Sequence, residues 1–447
     1  MKNFQALDQQ HVWHPCAQMM DYEAYPAIII ERGEGVWLYK RNGERILDAI
    51  SSWWVNLFGH GNVWIAERIK WQIELLEHVL LANYTHEPAI TLATRLSALF
   101  DDGLPKVFYT DNGSSSVEAA LKMSFHYWHN VGKPQKNRFA HFKGAYHGET
   151  LGALSVGSME AYKKLYSPLL MDTLEIEGPD CFRCEHQLDR LECSAECYAK
   201  AEHILGRDHA HLCAVIVEPV VQCAAGMKMY SPRYLEKLRR QCTSLGIHLI
   251  CDEIAVGFGR TGTMMASHQA DIVPDLVTVS KAVTGGFLPL AAVLAREEIF
   301  EAFYAPYEAM KAFMHSHTYA GNPLACAAGC AVFDLFDRTS VLEENRIKSA
   351  LIREGAWPLA GHPHVGEIRT QGMITAIEIV KDRKTREPFH WKERIGYQIY
   401  RCAEKKGVLL RNLGDVIYFM PPYIITEEEI DFMTRVAVDS VREVLGR

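Results

Sequence analysis

Lys281 and Asp252 carry the clearest chemical promise in this chain. Asp252 closes the apolar run His248-Leu249-Ile250-Cys251, and Lys281 follows Leu276-Val277-Thr278-Val279-Ser280 and precedes Ala282-Val283-Thr284-Gly285-Gly286. Each apolar run has the length of a buried strand. An amine at a strand end can condense with an aldehyde to form a Schiff base. A carboxylate at another strand end can keep a ring nitrogen protonated, so that the ring accepts electrons. Pyridoxal phosphate offers both an aldehyde and a pyridine nitrogen. Taken singly, Lys281 reads as a solvated loop lysine and Asp252 as a helix cap. The pair reads as chemistry because candidates for holding the phosphate accompany it.

The first candidate is Thr110-Asp111-Asn112-Gly113-Ser114-Ser115-Ser116-Val117-Glu118, which follows one strand-like run and opens a helical one. Free N–H groups at a helix N-terminus, with a serine hydroxyl nearby, suit a phosphate dianion. The plainer reading is a capped helix, with Ser115 and Glu118 as a capping box. The second candidate is His315-Ser316-His317-Thr318-Tyr319-Ala320-Gly321-Asn322-Pro323, where Thr318 can donate to a phosphate and Asn322-Pro323 starts a helix. Tyr146, in Tyr146-His147-Gly148, offers an aromatic face for a pyridine ring. Glu218, before Pro219, can orient ring substituents or simply end a strand. Trp53 and Trp54 form an aromatic patch with Asn56. Adjacent residues of one strand point to opposite faces, so one indole is expected at a pocket or an interface. Arg411, after Gly407-Val408-Leu409-Leu410, can grip a carboxylate with two parallel hydrogen bonds.

A separate cluster, Cys181-Phe182-Arg183-Cys184 with Cys193 and Cys197, has four thiols that could make a tetrahedral zinc site. Free thiols are the favoured reading, and no metal is expected.

The elements that position these residues follow from periodicity. Ile28-Ile29-Ile30, Gly35–Tyr39 and Ile46-Leu47-Asp48 read as strands, with Asn42-Gly43 as a hairpin turn. Strands are expected at 107–110, 138–141, 214–217, 247–250 and 276–279, and helices at 64–82, 89–100, 114–131, 232–245 and 322–336. This alternation predicts an α/β architecture with a mainly parallel sheet, whose ligand lies beyond the carboxyl ends of the strands. Asp111, Glu218, Asp252 and Lys281 all lie at or just past strand ends. The last hundred residues change character: Met373–Ile377, an amphipathic segment at 391–406, Val416–Phe419 and a helix at 426–445 suggest a small α+β domain joined by the N-terminal segment. The expected division is 1–63, 64–336 and 337–447.

The chain has 447 residues, is 48% hydrophobic and 23% charged, and carries a net charge of −8, an ordinary balance for a folded enzyme. No Lys/Arg block marks a nucleic-acid footprint. No apolar run reaches the roughly 18 residues of a membrane span. Met1–Asp8 lacks the apolar core of a signal peptide, so the expected location is the cytoplasm, with most of the 12 cysteines reduced.

Several runs together resemble the class III, fold-type I pyridoxal-phosphate aminotransferases over nearly the whole chain. They are Val12-Trp13-His14-Pro15, Ser51-Ser52-Trp53-Trp54, Asp111-Asn112-Gly113-Ser114, Tyr146-His147-Gly148-Glu149-Thr150, Asp252 through Gly262, Gly321-Asn322-Pro323-Leu324-Ala325 and Met420-Pro421-Pro422-Tyr423. The resemblance implies a seven-stranded, mainly parallel sheet in a large domain, and a small α+β domain built from both chain ends. It implies Lys281 as the Schiff-base lysine and proton carrier, Asp252 at the pyridinium, Tyr146 on the ring, and Gly113 and Ser114 at the phosphate. Thr318 would reach that phosphate from the neighbouring subunit of a homodimer with shared active sites. Trp53, Ser316 and Arg411 would meet substrate. The implied reaction converts 8-amino-7-oxononanoate to 7,8-diaminononanoate in biotin synthesis, with S-adenosylmethionine as amino donor. Lysine as donor, or an ω-amino-acid substrate, are the alternatives. The chain departs from the common pattern at Cys16, where many members have a pocket tyrosine, and at Ser316-His317, where many have Gly-Pro.

Overall fold

A computed structural model describes residues 3–446. Near the N-terminus, β1 (Ile30–Glu34), β2 (Trp37–Lys40) and β3 (Arg45–Asp48) form an antiparallel meander. The β2–β3 connection turns at Gly43, whose φ is +89°, and the Asn42 side chain accepts from the Glu44 amide.

The middle of the chain carries β4 (Lys106–Thr110), β5 (Arg138–Phe142), β6 (Leu174–Ile176), β7 (Leu212–Val217), the small hairpin β8 (Val221–Gln222) and β9 (Lys228–Met229), then β10 (His248–Asp252), β11 (Leu276–Val279) and β12 (Ala291–Ala295). Seven of these make one sheet in the order β4-β12-β11-β10-β7-β5-β6. All its pairings are parallel except those of β12, which runs against both neighbours. Every residue of β7, β10, β11 and β12 is buried, as expected of strands covered on both faces. The expected α/β sheet is therefore present. The unassigned strand β12 is Ala-Ala-Val-Leu-Ala, a short apolar run that periodicity cannot separate from buried helix.

The last part holds β13 (Val365–Gln371), β14 (Ile374–Ile379), β15 (Val408–Leu409), β16 (Arg411–Leu413) and β17 (Val416–Phe419). β13-β14-β17-β16 form an antiparallel sheet, while β15 pairs parallel with β3 and joins the two chain ends. Helices Val341–Ala356, Ile395–Lys405 and Glu427–Leu445 complete this region.

Helix positions match the periodicity closely, and Pro232–Leu245 matches to the residue. One overshoots. The helix expected at 64–82 ends at Leu75, and Leu76 is extended. Beyond it the Glu77 carbonyl accepts from the Asn322 side chain, and His78 packs on Tyr319. Tertiary contacts override the apolar pattern there. Among the described residues no helix is long and apolar enough to cross a membrane.

Candidate active site

The register of three neighbouring strands gathers the first chemical groups. Ile250 on β10 lies beside Ile216 on β7 and Leu276 on β11, and Asp252 lies beside Thr278. The carboxyl ends of these strands therefore present Glu218, Asp252 and Lys281 together. All three line a cavity of about 420 Å³, along with Asp111, Asn112, Gly113, Ser114, Tyr146, His147 and Trp54. That volume suits a cofactor with a small substrate.

Asp252 is held from three sides. Its Oδ2 lies 2.7 Å from His147 Nδ1, and its Oδ1 accepts from the Ile254 amide at 3.1 Å and the Thr278 hydroxyl at 3.3 Å. His147 was not assigned a role from sequence, although it sits inside the Tyr-His-Gly run. Its Nε2 is buried with no partner among the described residues. Lys281 Nζ makes no hydrogen bond among the described residues and lies 5.2 Å from the Trp54 ring centroid. Burial holds the Lys281 amine below its usual value, partly offset by Asp252 and other anionic neighbours. A lowered amine is a better base near neutral pH. Glu218 accepts from the amides of Tyr146 and Cys223 at 3.2 and 3.0 Å, and burial pushes its carboxyl up to about 7.

The helix Gly113–Asn130 opens at the same cavity. Its capping box pairs Asn112 with Ser115, not Ser115 with Glu118. Glu118 instead binds the Thr150 hydroxyl and the Gly152 amide at 2.6 and 2.7 Å, holding the loop that carries Tyr146. Asn112 and Ser115 satisfy each other, so the Gly113 and Ser114 amides donate to nothing among the described residues. Gly148, with φ +127°, crosses directly over Ser114, and a Cβ there would lie 2.2 Å from Ser114 Oγ. Gly286, with φ +87°, brings the loop after Lys281 against Val55 and Asn56.

The two tryptophans do not lie on a strand. Ser51, Ser52, Trp53 and Trp54 all have φ between 47° and 75°, a left-handed turn of four non-glycine residues. Such backbone costs about 1–2 kcal/mol per residue, so the surroundings must hold it. Ser51 Oγ donates to the Met420 carbonyl and Ser52 Oγ to Asp48, each at 2.7 Å. Arg260, fully buried, donates to the carbonyls of Asn56, Pro421 and Trp54 at 2.8, 3.0 and 3.4 Å. Trp54 is buried and donates to the Tyr418 hydroxyl at 3.0 Å, while Trp53 is 37% exposed. Trp54, and not Trp53, lines the cavity, and a turn and not a strand separates the two indoles.

Trp53 and Arg411 meet each other, with the guanidinium carbon 4.0 Å from the Trp53 ring centroid. Neither lines the cavity. Ser316 and Thr318 are exposed and also lie outside it. His317 binds Asp111, which does line it, at 2.9 Å. Cys16 does not line the cavity; its thiol lies 3.9 Å from Glu149, whose carboxylate also accepts from the Tyr146 hydroxyl at 2.9 Å.

Cys181, Cys184, Cys193 and Cys197 surround a separate pocket of about 170 Å³, and all four are free thiols. Among the described residues no three His, Cys, Asp or Glu side chains are grouped to hold a metal ion.

Residues 19–440 match the family model for class-III aminotransferases. The chain belongs to the class III aminotransferases. It is 42% identical over 440 residues to the adenosylmethionine-8-amino-7-oxononanoate aminotransferase of Geobacter sulfurreducens, covering 98% of this chain and 97% of the relative. It is 44% identical over 435 residues to the protein of that name in Helicobacter pylori, covering 96% and 95%. The crystal structure of the Methanocaldococcus jannaschii protein of the same name superposes with a TM-score of 0.93 at 34% identity, covering 98% of each chain. A class III aminotransferase is a pyridoxal-phosphate enzyme acting on small molecules. The residues present fit that cofactor: free amides at a helix N-terminus, a glycine passing over Ser114, a buried carboxylate and an unpartnered lysine share one cavity.

Proposed function

We propose that this aminotransferase converts 8-amino-7-oxononanoate to 7,8-diaminononanoate in biotin synthesis, with S-adenosylmethionine as amino donor. The observation that carries this reading is the near-full-length similarity to relatives of that name, at 42–44% identity. It is supported by one cavity lined by Lys281, Asp252, the helix N-terminus at Gly113 and Ser114, and Trp54.

In this reading Lys281 Nζ would move a proton from the donor α-carbon to the cofactor carbon that receives the amine, and would run the reverse transfer with the acceptor in the second half of the cycle. Its lowered basicity in the buried site keeps it free to do so. Asp252, aimed by His147, would hold the pyridine nitrogen. The Gly113 and Ser114 amides bind the phosphate, and Tyr146 covers the ring. Pyridoxal phosphate, when bound, supplies the electron sink. Arg411 meets a substrate carboxylate, and Trp53 flanks the chain of the acceptor. Thr318 and Ser316, exposed in the single chain, serve the site of a second copy in a homodimer. The three segments 1–63, 64–336 and 337–447 and a cytoplasmic location belong to the same reading.

The test is the visible spectrum of the pyridoxal-phosphate-loaded protein. Loss of its band with S-adenosylmethionine, and recovery with 8-amino-7-oxononanoate, is the expected result. Loss with lysine alone keeps the acceptor and changes the donor. No response to either donor overturns the reading.

A further inference from the structure

Glu149, which touches the cavity-lining Tyr146, and Arg411, which lies over the neighbour of the cavity-lining Trp54, are two opposite charges just outside the cavity that do not pair with each other or with any other side chain within salt-bridge distance among the described residues. Each rests instead on neutral groups. Arg411 lies over Trp53, and Glu149 accepts the Tyr146 hydroxyl at 2.9 Å and approaches the Cys16 thiol at 3.9 Å. Cys16 ties the two together: after burial, the Glu149 charge raises its thiol, and Arg411 lowers it. Tyr162 packs on Tyr146 with ring centroids 5.7 Å apart, and also senses both charges. A carboxylate and a guanidinium left apart beside a cavity suit a ligand that carries both signs. Arg411 has already been given the carboxylate end of such a ligand. Glu149 remains for a cation.

We infer that Glu149 is a specificity-determining residue that recognises a cationic group of the substrate, an ammonium or a sulfonium, at the cavity edge beside Tyr146. The inference deepens the function proposed above and rests on it for the identity of the substrates. Both amino-donor candidates carry a second positive charge besides the α-amine: the sulfonium of S-adenosylmethionine and the side-chain ammonium of lysine. The acceptor, 8-amino-7-oxononanoate, also has a free amine. The shared chemistry is a cation, and the two half-reactions separate its sources. Glu149 is anchored for the task. Its amide donates to Ser114 Oγ at 3.2 Å, which ties the residue to the helix N-terminus that opens at the cavity. An exposed carboxylate is screened by water, so its selectivity is modest, about three- to tenfold in affinity.

The experiment uses the pyridoxal-phosphate-loaded full chain, wild type and Glu149→Gln. Glutamine keeps an acceptor for the Tyr146 hydroxyl and removes only the charge. Dissociation constants come from spectral titration with lysine against norleucine, and with S-adenosylmethionine against its neutral thioether. The aminated enzyme is titrated with 8-amino-7-oxononanoate, and melting curves check the fold. A three- to tenfold weaker affinity for cationic donors, with neutral analogues unchanged, places the recognised cation on the donor. A selective loss in the acceptor titration alone places it on the acceptor. Equal affinities in the two proteins, or an equal loss for charged and neutral ligands, overturn the inference. If the wild type does not respond to 8-amino-7-oxononanoate, the proposed function fails. The inference is then judged by lysine against norleucine alone: loss of a lysine preference in Glu149→Gln supports it, and unchanged preference overturns it.

Discussion

His147 Nδ1 lies 2.7 Å from Asp252 Oδ2, and both side chains are buried. Among the described residues the histidine side chain has no other partner, since its Nε2 is orphaned. Its work in the fold is therefore to aim one carboxylate oxygen. Replacing it by phenylalanine keeps the ring volume and strips Asp252 of a hydrogen bond, a loss of about 1–3 kcal/mol for a buried acceptor. His147→Phe is expected to bind pyridoxal phosphate about tenfold or more weakly and to melt lower as the apo-protein. Equilibrium dialysis of the cofactor is the direct check, and unchanged affinity would remove His147 from the site.

Lys281→Ala should abolish turnover while leaving the fold intact, because among the described residues Lys281 makes no hydrogen bond that would be lost. Borohydride reduction is the sharper assay. It should fix the cofactor covalently in the wild type and leave it removable in the variant. Substantial turnover in Lys281→Ala would sink the assignment.

Asp252 and Lys281 were legible in the sequence because a parallel sheet delivers its functional groups at strand ends, and apolar runs mark those ends. The helix opening at Gly113 was legible for a similar reason, although the capping partner was Asn112 and not Glu118. The turn at Ser51–Trp54 was not. Nothing in Ser-Ser-Trp-Trp favours left-handed backbone; Met420 and Arg260 impose it from far along the chain, with the nearby Asp48. His147 carries no sequence signal because its partner lies 105 residues away. β12 is not legible because its alanines carry no strand signal.

Glu218 gives a pH prediction with a definite sign. Its carboxyl titrates at about 7 in the fold against 4.5 outside it, so the folded state holds the proton more tightly. That contribution to stability is fully present below about pH 4.5 and is lost as pH rises through about 7. Glu218→Gln cannot lose it. Apo-protein unfolding should show the two proteins nearly alike at pH 5 and the variant more stable at pH 8, by at most about 3 kcal/mol. A gap that stays constant from pH 5 to 8 would mean Glu218 is ionised throughout.

Arg260 has no carboxylate partner within salt-bridge distance among the described residues. Its buried charge is neutralised by carbonyl dipoles of Trp54, Asn56 and Pro421 and by the Tyr423 ring, 5.0 Å away. Arg260→Met would leave those carbonyls without donors, at a cost of roughly 2–4 kcal/mol. The turn bearing the tryptophans should loosen with it. Denaturant unfolding should show the loss of stability, and KM should rise more than kcat falls. A stable variant with normal KM would mean that Asp48 and Met420 hold the turn alone.

Trp53 and Trp54 make the most discriminating pair of substitutions, because they share backbone strain and differ in burial. Trp53 has φ +75° and ψ +46°, a conformation that glycine adopts freely. Trp53→Gly relieves about 1 kcal/mol of strain and loses some of that again through the greater freedom of the unfolded chain. Its half-exposed indole contributes little core packing. Trp54→Gly relieves similar strain but empties a buried indole site and leaves the Tyr418 hydroxyl unpaired, a cost of about 3–5 kcal/mol. The two variants should therefore separate cleanly in thermal melts: Trp53→Gly near the wild type, Trp54→Gly far below it. Activity should not follow stability. Trp53→Gly removes the surface on which Arg411 rests, so KM for the carboxylate-bearing acceptor should rise several-fold in a protein that is as stable as the parent. If Trp53→Gly melts as low as Trp54→Gly, the left-handed turn is held by the indole itself and not by its serines and Arg260. If it melts normally and keeps the parental KM, Trp53 has no part in positioning substrate.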